Sequence, residues 1–440
     1  MDIIRKTEEI ISRYPLCNTC LGRLFSSLGY GLENSQRGFA LKTMLLMKAY
    51  NSLEEENNIN LVKKLARSGF KPAMKLLEEK FNTSMDENEV EKCFICKGLL
   101  EEESLFKKIS QRILTSLREI ESKTFLIGVR VDESMVAREM QVISDFGVET
   151  SETLKREINR KIGKIIEASS RLKVDYKDPE VTVIVDFPTG NLEVNIKPLF
   201  VYGRYRKLVR GLPQSAGKDH VRWDAPPKPS IEEYIGRPLL KVTRGEEVRL
   251  HGAGREDVDV LTLGSGRPFV AEVLRPRIRC IDLNELARRI REYSEGKVEV
   301  EDLRIVARSM VEKIKVLSEK AVKLYRAIVT FEGDVDEKDL KSIESSFKNI
   351  LIKQQTPLRV LKRRADKVRS KIVYYVKTKK ISSNTVEFLI KCQGGLYVKE
   401  LITGDAGRTR PSFSEILGTQ PRKIVLDILY IEETTRGLER

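Results

Sequence analysis

The chain has 440 residues, of which 40% are hydrophobic and 33% charged, enough for two or three domains with buried cores and too well mixed for a disordered polypeptide. No apolar run approaches the roughly 18–20 residues that cross a bilayer, and the opening MDIIRKTEEIISR lacks the apolar centre of a secretory leader, so a cytoplasmic protein without a membrane partner is expected. Lys and Arg number 80 against 65 Asp and Glu, a net +15; residues 1–200 hold 31 of each sign, so residues 201–440, with 49 and 34, carry the whole excess and point to a polyanionic partner, most simply nucleic acid.

The front of the chain reads as helical. Ile3, Ile4, Ile10 and Ile11 suit one face of a short helix. Leu105, Ile109, Ile113 and Leu117 recur every four residues, and Leu154, Ile158, Ile162 and Ile165 repeat that pattern over 152–171. KTFLIGVRV (123–131) reads as a strand. EVTVIVDF and NLEVNI alternate apolar and polar residues on either side of Pro188-Thr189-Gly190, which predicts a hairpin. A boundary is expected near 200–230, where GLPQSAGKDHVRWDAPPKPS is rich in Pro, Gly and Ser. Beyond it DVDVLTLG, PFVAEVL, VKLYRAIVTFEG, KIVYYVKT, NTVEFLIKCQ and KIVLDILYIE read as strands. DLNELARRIREYSEG and DEKDLKSIESSFKNI read as helices. The expected class is α+β, with a mixed sheet in the second half.

Four of the six cysteines form two pairs of identical spacing, Cys17-Asn18-Thr19-Cys20 and Cys93-Phe94-Ile95-Cys96, with 72 residues between them. Two thiolates two residues apart can aim at one ion from a tight turn, and two such pairs complete a tetrahedron. Pro15 precedes one pair and Lys97-Gly98 follows the other. A structural zinc site on Cys17, Cys20, Cys93 and Cys96 is expected. Cys280 and Cys392 fall in strand-like contexts and read as buried apolar residues.

Nucleotide motifs are missing. There is no GxxxxGK[ST] and no GxGxxG after a strand, and only two histidines, His220 and His251, exist to serve a metal. Chemistry must rest on carboxylates, Lys, Arg and Tyr. The densest stretch is HGAGREDVDVLTLGSGRPFVAEVLRPR (251–277). Gly252 and Gly254 permit close backbone approach, and Arg255 and Asp257 follow in a tight turn. Val258, Val260, Leu261 and Leu263 then suggest a buried strand, ended by Gly264-Ser265-Gly266, with PFVAEVL as the return strand. A carboxylate beside glycines and basic groups is held in place and kept ionised.

Here the sequence resembles a known family. Gly254-Arg255-Glu256-Asp257 matches the G-R-x-D pattern that holds the catalytic aspartate of pseudouridine synthases. GREDVDV…LGSGRPF is similar to the archaeal and eukaryotic Pus-ten family of tRNA pseudouridine synthases. VYGRYRKLVRGLPQS (201–215), QTPLRVLKRRADKVRSK (355–371) and GGLYVKELITGDAGRTRPSFSEILG (394–418) resemble the start of that family's catalytic domain, its basic thumb segment and its closing motif, in the family's order. The resemblance implies an N-terminal zinc-binding, THUMP-containing accessory domain over 1–200. It implies a mixed-sheet pseudouridine synthase catalytic domain over 201–440, which isomerises uridines 54 and 55 of the tRNA TΨC loop without a catalytic cofactor. It gives Asp257 the catalytic role, with Asp259 as near competitor, and places Arg255 beside it. It makes Tyr325 the active-site tyrosine that stacks on the target base and Tyr397 a substrate-binding tyrosine. Val398-Lys399-Glu400-Leu401 matches the (I/V)-(R/K)-x-L motif, whose cation, here Lys399, pairs with the catalytic aspartate.

The residues agree chemically with that assignment. Lys399 can supply the charge that keeps Asp257 ionised. A phenol edge can hold a detached base and assist proton removal. The flipped base must be stabilised by phosphate contacts and stacking, and residues 353–380 offer 11 cations against the single acid Asp366. Arg363, Arg364, Lys367 and Arg369 are expected to contact RNA from a projecting loop. A monomer acting on tRNA is expected. The alternatives are a non-catalytic tRNA-binding or chaperone protein on the same fold, which needs no carboxylate in a basic cleft, and other THUMP enzymes, whose PP-loop or S-adenosylmethionine motif is missing.

Overall fold

The computed structural model describes residues 2–432 except Ser52, 86–88, Ala216, Lys218, Asp219 and Arg363. Arg363, one of the expected RNA contacts, therefore lies outside the described residues. The chain forms two compact units, Met1–Lys197 and Pro198–Arg440. The Pro- and Gly-rich stretch 211–230 lies inside the second unit.

The first unit runs through α1 (Ile3–Arg13), α2 (Asn18–Leu24), α3 (Asn34–Tyr50), α4 (Glu56–Arg67), α5 (Lys71–Phe81), α6 (Glu103–Leu117), β1 (Thr124–Val131), α7 (Glu133–Phe146), α8 (Leu154–Ser169), β2 (Lys173–Val174), β3 (Val181–Phe187) and β4 (Asn191–Ile196). Asp2 caps α1 by accepting from the Ile4 and Arg5 amides, which satisfies donors that the first turn cannot pair internally. The helical faces follow the expected spacing with small shifts. In α6, Phe106 rather than Leu105 leads the buried stripe of Ile109, Ile113 and Leu117. In α8 the four-residue spacing continues to Ile166 rather than Ile165.

The sheet has the order β2-β1-β3-β4. β1 is parallel to β2 and β3, and β3 and β4 form the antiparallel hairpin across Pro188-Thr189-Gly190. Alternate residues of β3, Val181, Val183, Val185 and Phe187, enter the core. Where α2 crosses α3 the backbones touch. A Cβ on Gly22 would lie 1.8 Å from the Asn34 carbonyl oxygen, and one on Gly38 would lie 1.9 Å from that of Asn18. Only glycine fits at either place.

The second unit contains β5 (Leu199–Lys207), β6 (Val221–Arg222), α9 (Ile231–Thr243), β7 (Glu247–Gly252), β8 (Leu261–Leu274), α10 (Leu283–Tyr293), β9 (Val298–Val306), α11 (Ser309–Lys320), β10 (Val322–Phe331), α12 (Glu337–Ser346), β11 (Ile350–Gln355), β12 (Val368–Lys380), β13 (Thr385–Gln393), α13 (Val398–Thr403), β14 (Thr409–Arg410), α14 (Phe413–Leu417) and β15 (Pro421–Glu432). Its sheet has the order β14-β11-β12-β13-β10-β15-β8-β5-β9, with β7 also on β8 and β6 on β7. Among the described residues every pairing is antiparallel except β15 with β8. One hydrophobic core packs around β10, β12, β13 and β15, and another around β5, β7, β8, α9 and α10. Both units mix helix and sheet, the α+β class expected.

Three expectations are corrected. Residues 257–260 are not strand: Val258 stands 47% exposed in a turn, and β8 begins at Leu261. Gly264-Ser265-Gly266 does not end that strand. β8 continues through it to Leu274, because positive φ at Gly264 and Gly266 (+52° and +67°) bends the chain without reversing it. Before the bend β8 pairs with β15 and, at Thr262, with β5; after it, with β5 and β7. The basic run 353–380 is likewise not one loop. Lys353 lies in β11, residues from Val368 lie in β12, and only 356–367 connect them.

Candidate active site and cysteine cluster

The loop between β7 and β8 carries Asp257, and buried groups fix it. Gly254 has φ +85°, and a Cβ there would come within 3.0 Å of Ser318 Oγ and 3.1 Å of Arg267 Nη1. Glu256, the variable position of G-R-x-D, points inward. It pairs with Arg267 Nε at 2.7 Å, both side chains being 1% exposed, and it accepts from the Tyr205 hydroxyl at 2.9 Å. Arg267 Nη1 also donates to the Ala253 carbonyl at 2.8 Å. Gln214 Nε2 donates to the Tyr205 oxygen and to the Gly254 carbonyl, at 2.9 and 3.1 Å. Burial, then the Glu256 charge, pushes the Tyr205 phenol well up, so it stays a donor. Removing one partner of such a buried pair costs about 3–5 kcal/mol, so the turn is rigid.

Asp257 faces the opposite way, into a cleft of about 300 Å³ lined also by Arg255, Tyr325, Arg364, Tyr397 and Lys399. Arg359 Nη1 donates to Asp257 Oδ1 at 3.0 Å, and Lys399 Nζ stands 3.3 Å from Oδ2. The same ammonium lies closer to Asp259, 2.8 Å from each carboxylate oxygen. Burial raises the Asp259 carboxyl, but the Lys399 bond and charge outweigh it and hold the group below its usual range. Lys399 therefore bridges two aspartates. Tyr325 projects from β10 and is 8% exposed. Burial pushes its phenol well up, so it is neutral at physiological pH.

Arg359 follows Pro357 in the β11–β12 connection. Its Nε donates to buried Glu400 at 2.5 Å while Nη1 holds Asp257. Its guanidinium lies 5.9 Å from the Tyr397 ring centroid. Arg364 Nη1 donates to the Tyr397 hydroxyl oxygen at 2.9 Å. Arg255 lines the cleft, exposed and without an ion-pair partner among the described residues. Lys367 and Arg369 lie at the base of the connection. The Lys367 amide and Arg369 Nη1 both donate to Thr356 Oγ1, at 3.1 and 2.9 Å, and Arg408 ties the Thr356 carbonyl to Asp366. Arg210 crosses between strands: it donates to the Asp259 and Leu426 carbonyls and pairs with buried Asp427, which also takes Arg326 at 2.9 Å.

Asp257, Tyr325, Tyr397, Lys399, Arg255 and Arg364 thus converge from separate segments of the chain. Arg359 and Glu256 were not singled out by sequence. Arg359 belongs to the basic run, but nothing local separates it from its neighbours. The signal for Glu256 was its place inside the motif.

In the first unit, Cys17, Cys20, Cys93 and Cys96 are all buried, with sulfurs within 4.8 Å of one another. Cys17 Sγ and Cys96 Sγ are 3.6 Å apart, against about 3.8 Å for the edge of a tetrahedron of sulfurs around zinc. Cys17 Sγ caps α2 by accepting from the Cys20 amide, and the Phe94 amide donates to the Pro15 carbonyl at 2.7 Å, joining the two turns. Hydrogen bonding to the Cys20 sulfur, with burial, pushes the Cys17 thiol well up, and burial does the same to Cys20, while bonds from Cys17 and Cys20 outweigh burial and hold Cys93 and Cys96 down. Four buried sulfurs cannot shed their protons together unless a cation compensates, so this donor set fits a metal ion held by thiolates. Cys392 is buried in β13 as expected, whereas Cys280 is exposed and lies outside any strand, after the Pro276 turn that follows β8.

The family model described as Pus10, C-terminal matches residues 200–432, and that described as Pus10 THUMP domain, archaeal matches residues 109–186. A protein of Thermofilum pendens named tRNA pseudouridine synthase Pus10 is 43% identical over 435 residues, covering 98% of this chain and 95% of the relative. One of the same name from Methanothrix thermoacetophila is 39% identical, covering 97% and 94%. A chain in the crystal structure of a Cbf5-Nop10-Gar1 complex is 18% identical over 52% of this chain and 57% of its own, with a TM-score of 0.28. The matches define an enzyme of the pseudouridine synthase class, an isomerase. Within that class the chain belongs to the Pus10 family.

Proposed function

We propose that the protein isomerises uridine 54 and uridine 55 of the tRNA TΨC loop to pseudouridine, with Asp257 as the catalytic carboxylate. The observation that carries this reading is the placement of Asp257 in a cleft, opposite Tyr325 and between two cations, Arg359 and Lys399. The relatives' shared name supports tRNA as substrate. In the reaction the C1′–N1 bond breaks, the base turns, and a C1′–C5 bond forms. C5 loses a proton and N1 gains one, so nothing is oxidised or transferred away. Asp257, held between its two cations, acts as nucleophile or base. Tyr325 holds the loosened base against the cleft wall. Arg364, Lys367 and Arg369 lie on the segment that meets RNA phosphates, with Arg255 and Tyr397 at the cleft mouth. Residues 201–440 form the catalytic domain and 1–200 an accessory RNA-binding domain. Cys17, Cys20, Cys93 and Cys96 hold a structural Zn²⁺, which would cross-link the two turns. The protein works on cytoplasmic tRNA as a monomer.

The competing carboxylate is Asp259, favoured by its shorter contacts to Lys399. Unmodified tRNA transcript, incubated with each variant and mapped by carbodiimide primer extension, separates the two. Asp257→Ala should make no pseudouridine while still binding tRNA. Activity retained in Asp257→Ala and lost in Asp259→Ala reverses the assignment.

A further inference from the structure

Trp223 is the only tryptophan in the chain, and it stands 62% exposed just after β6. Its turn is held at several points. Arg237, from α9, donates through Nη1 to the Arg222 carbonyl and through Nη2 to the Ala225 carbonyl, each at 3.0 Å. One guanidinium therefore spans the segment that presents the indole. Arg237 is itself anchored: Nε donates to Glu233 Oε1 at 2.8 Å, and that buried carboxylate also accepts from the Tyr293 hydroxyl at 3.1 Å. The Trp223 amide donates to the Glu246 carbonyl at 3.2 Å. An exposed aromatic on a fixed backbone has little conformational entropy left to lose when something stacks on it.

The surroundings define what that is. Trp223 and Tyr293 lie in a groove of about 570 Å³ with Arg237, Lys241, Arg288 and Arg289. The one acid in its lining is Glu292, and the one aliphatic side chain is that of Pro238. Lys241 has neither a hydrogen bond nor an ion pair among the described residues. The groove's arginines are paired, Arg237 with Glu233, Arg288 with Glu285 and Glu292, and Arg289 with Glu285, which leaves Lys241 as its unpaired cation. A protein anchor needs an apolar pocket; this groove offers a flat aromatic face beside one unpaired ammonium, the chemistry that receives a base and its phosphate. None of these residues lines the cleft that holds Asp257.

We infer that this groove is a second RNA contact, in which an unpaired base of the RNA substrate stacks on Trp223 and its neighbouring phosphate meets Lys241. The inference rests on the reading of the protein as an enzyme that acts on RNA. It goes further by naming where, outside the reacting cleft, an unpaired nucleotide is held.

The single tryptophan makes the test direct. Unmodified tRNA transcript is titrated into the full-length protein while indole emission is followed, with filter binding alongside. Emission should fall saturably with the midpoint that filter binding gives. Trp223→Ala should weaken binding by roughly 5- to 150-fold, the equivalent of one stacked base, and Trp223→Phe should recover part of it. Lys241→Glu should weaken binding and lower the magnitude of the salt slope by about 0.7–0.9, one phosphate's share. Melting curves of each variant confirm that it is folded. Emission that stays constant to saturation, or Trp223→Ala binding within twofold of the parent, overturns the inference. Asp257→Ala distinguishes this failure from that of the catalytic reading. If Asp257→Ala still makes pseudouridine but the quench persists, only the catalytic assignment falls. If pseudouridine forms normally while the indole never responds, only the groove falls.

Discussion

Asp257 is held by two cations of different origin: Lys399 from α13 and Arg359 from the β11–β12 connection. Arg359 also reaches buried Glu400, one residue beyond Lys399, so the basic connection and the Asp257 carboxylate are joined through a single side chain. Arg359→Ala should lower the single-turnover rate by more than it weakens tRNA binding, and it should reduce stability by leaving Glu400 unpaired. Adding Glu400→Gln should restore the melting temperature and leave the rate low. Equal recovery of both would show that Arg359 acts through folding alone. A second residue prediction concerns Lys323, 6% exposed on β10 beside Cys392. Burial, reinforced by Arg267 and Lys371 and opposed by Cys392 and Glu256, pushes its ammonium down from 10.5 to about 7. Between those values the unfolded chain holds a proton that the folded chain has lost, so this residue's contribution to stability rises with pH across that window and is least favourable below it. Lys323→Met should therefore stabilise by a few kcal/mol at pH 6, and the gain should shrink toward pH 10 in denaturant titrations. A gain independent of pH would remove the buried ammonium from the explanation. At this scale the sequence disclosed Asp257 through its motif but not Glu256 beside it. The burial of Glu256 depends on Arg267 and Tyr205, far along the chain, and local spacing carries no trace of such partners.

Helices and isolated strands were readable because their apolar spacing is local: β3 and β4, α6 and α8 follow it closely. β8 was misread because Gly264 and Gly266, which usually end a strand, here bend one. A Cβ on Gly264 would come within 1.9 Å of the Leu429 carbonyl oxygen, so that glycine admits a neighbouring strand, which sequence alone does not reveal. The basic run was misread in the other direction. Its charge suggested one loop, whereas alternating partners put its ends into β11 and β12. The connection between them stands on Thr356, Arg408 and Asp366, so it is fixed at its base. Replacing Arg363, Arg364 and Lys367 by Ala should weaken tRNA binding, and the magnitude of the slope of log K against log salt should fall by about 0.7–0.9 for each phosphate that the variant no longer neutralises. Affinity within twofold and an unmoved slope would take the connection out of the RNA interface.

Each unit has its own hydrophobic core, and the cysteine cluster belongs wholly to the first. Native mass spectrometry should find one zinc ion per chain. After chelation, limited proteolysis should cut first within residues 1–197, because the turns at Cys17 and Cys93 lose their cross-link. A metal-free native protein with four freely reactive thiols would contradict the zinc assignment. The second unit holds a different line of weakness. Its long sheet is continuous only through β15 and β8, where Asp427 and Ile428 alone find partners, in Leu261 and Thr262. Arg210 spans that seam, gripping Asp427 and the Leu426 carbonyl on one side and the Asp259 carbonyl on the other. The cleft that holds Asp257 opens at the same place, lined by Leu426 and Ile428 as well. The sheet thus behaves as two stiff leaves on a short spine, clasped by Arg210 at one end and, further along β15, by Arg204, which donates to the Ile431 carbonyl at 2.9 Å, and by Ser265 Oγ, which accepts from the Ile431 amide at 3.0 Å. Backbone amides along the spine should exchange with deuterium sooner than those inside either leaf, and RNA lying across both should slow that exchange. Arg210→Ala would then quicken the breathing of the spine and leave both leaves intact.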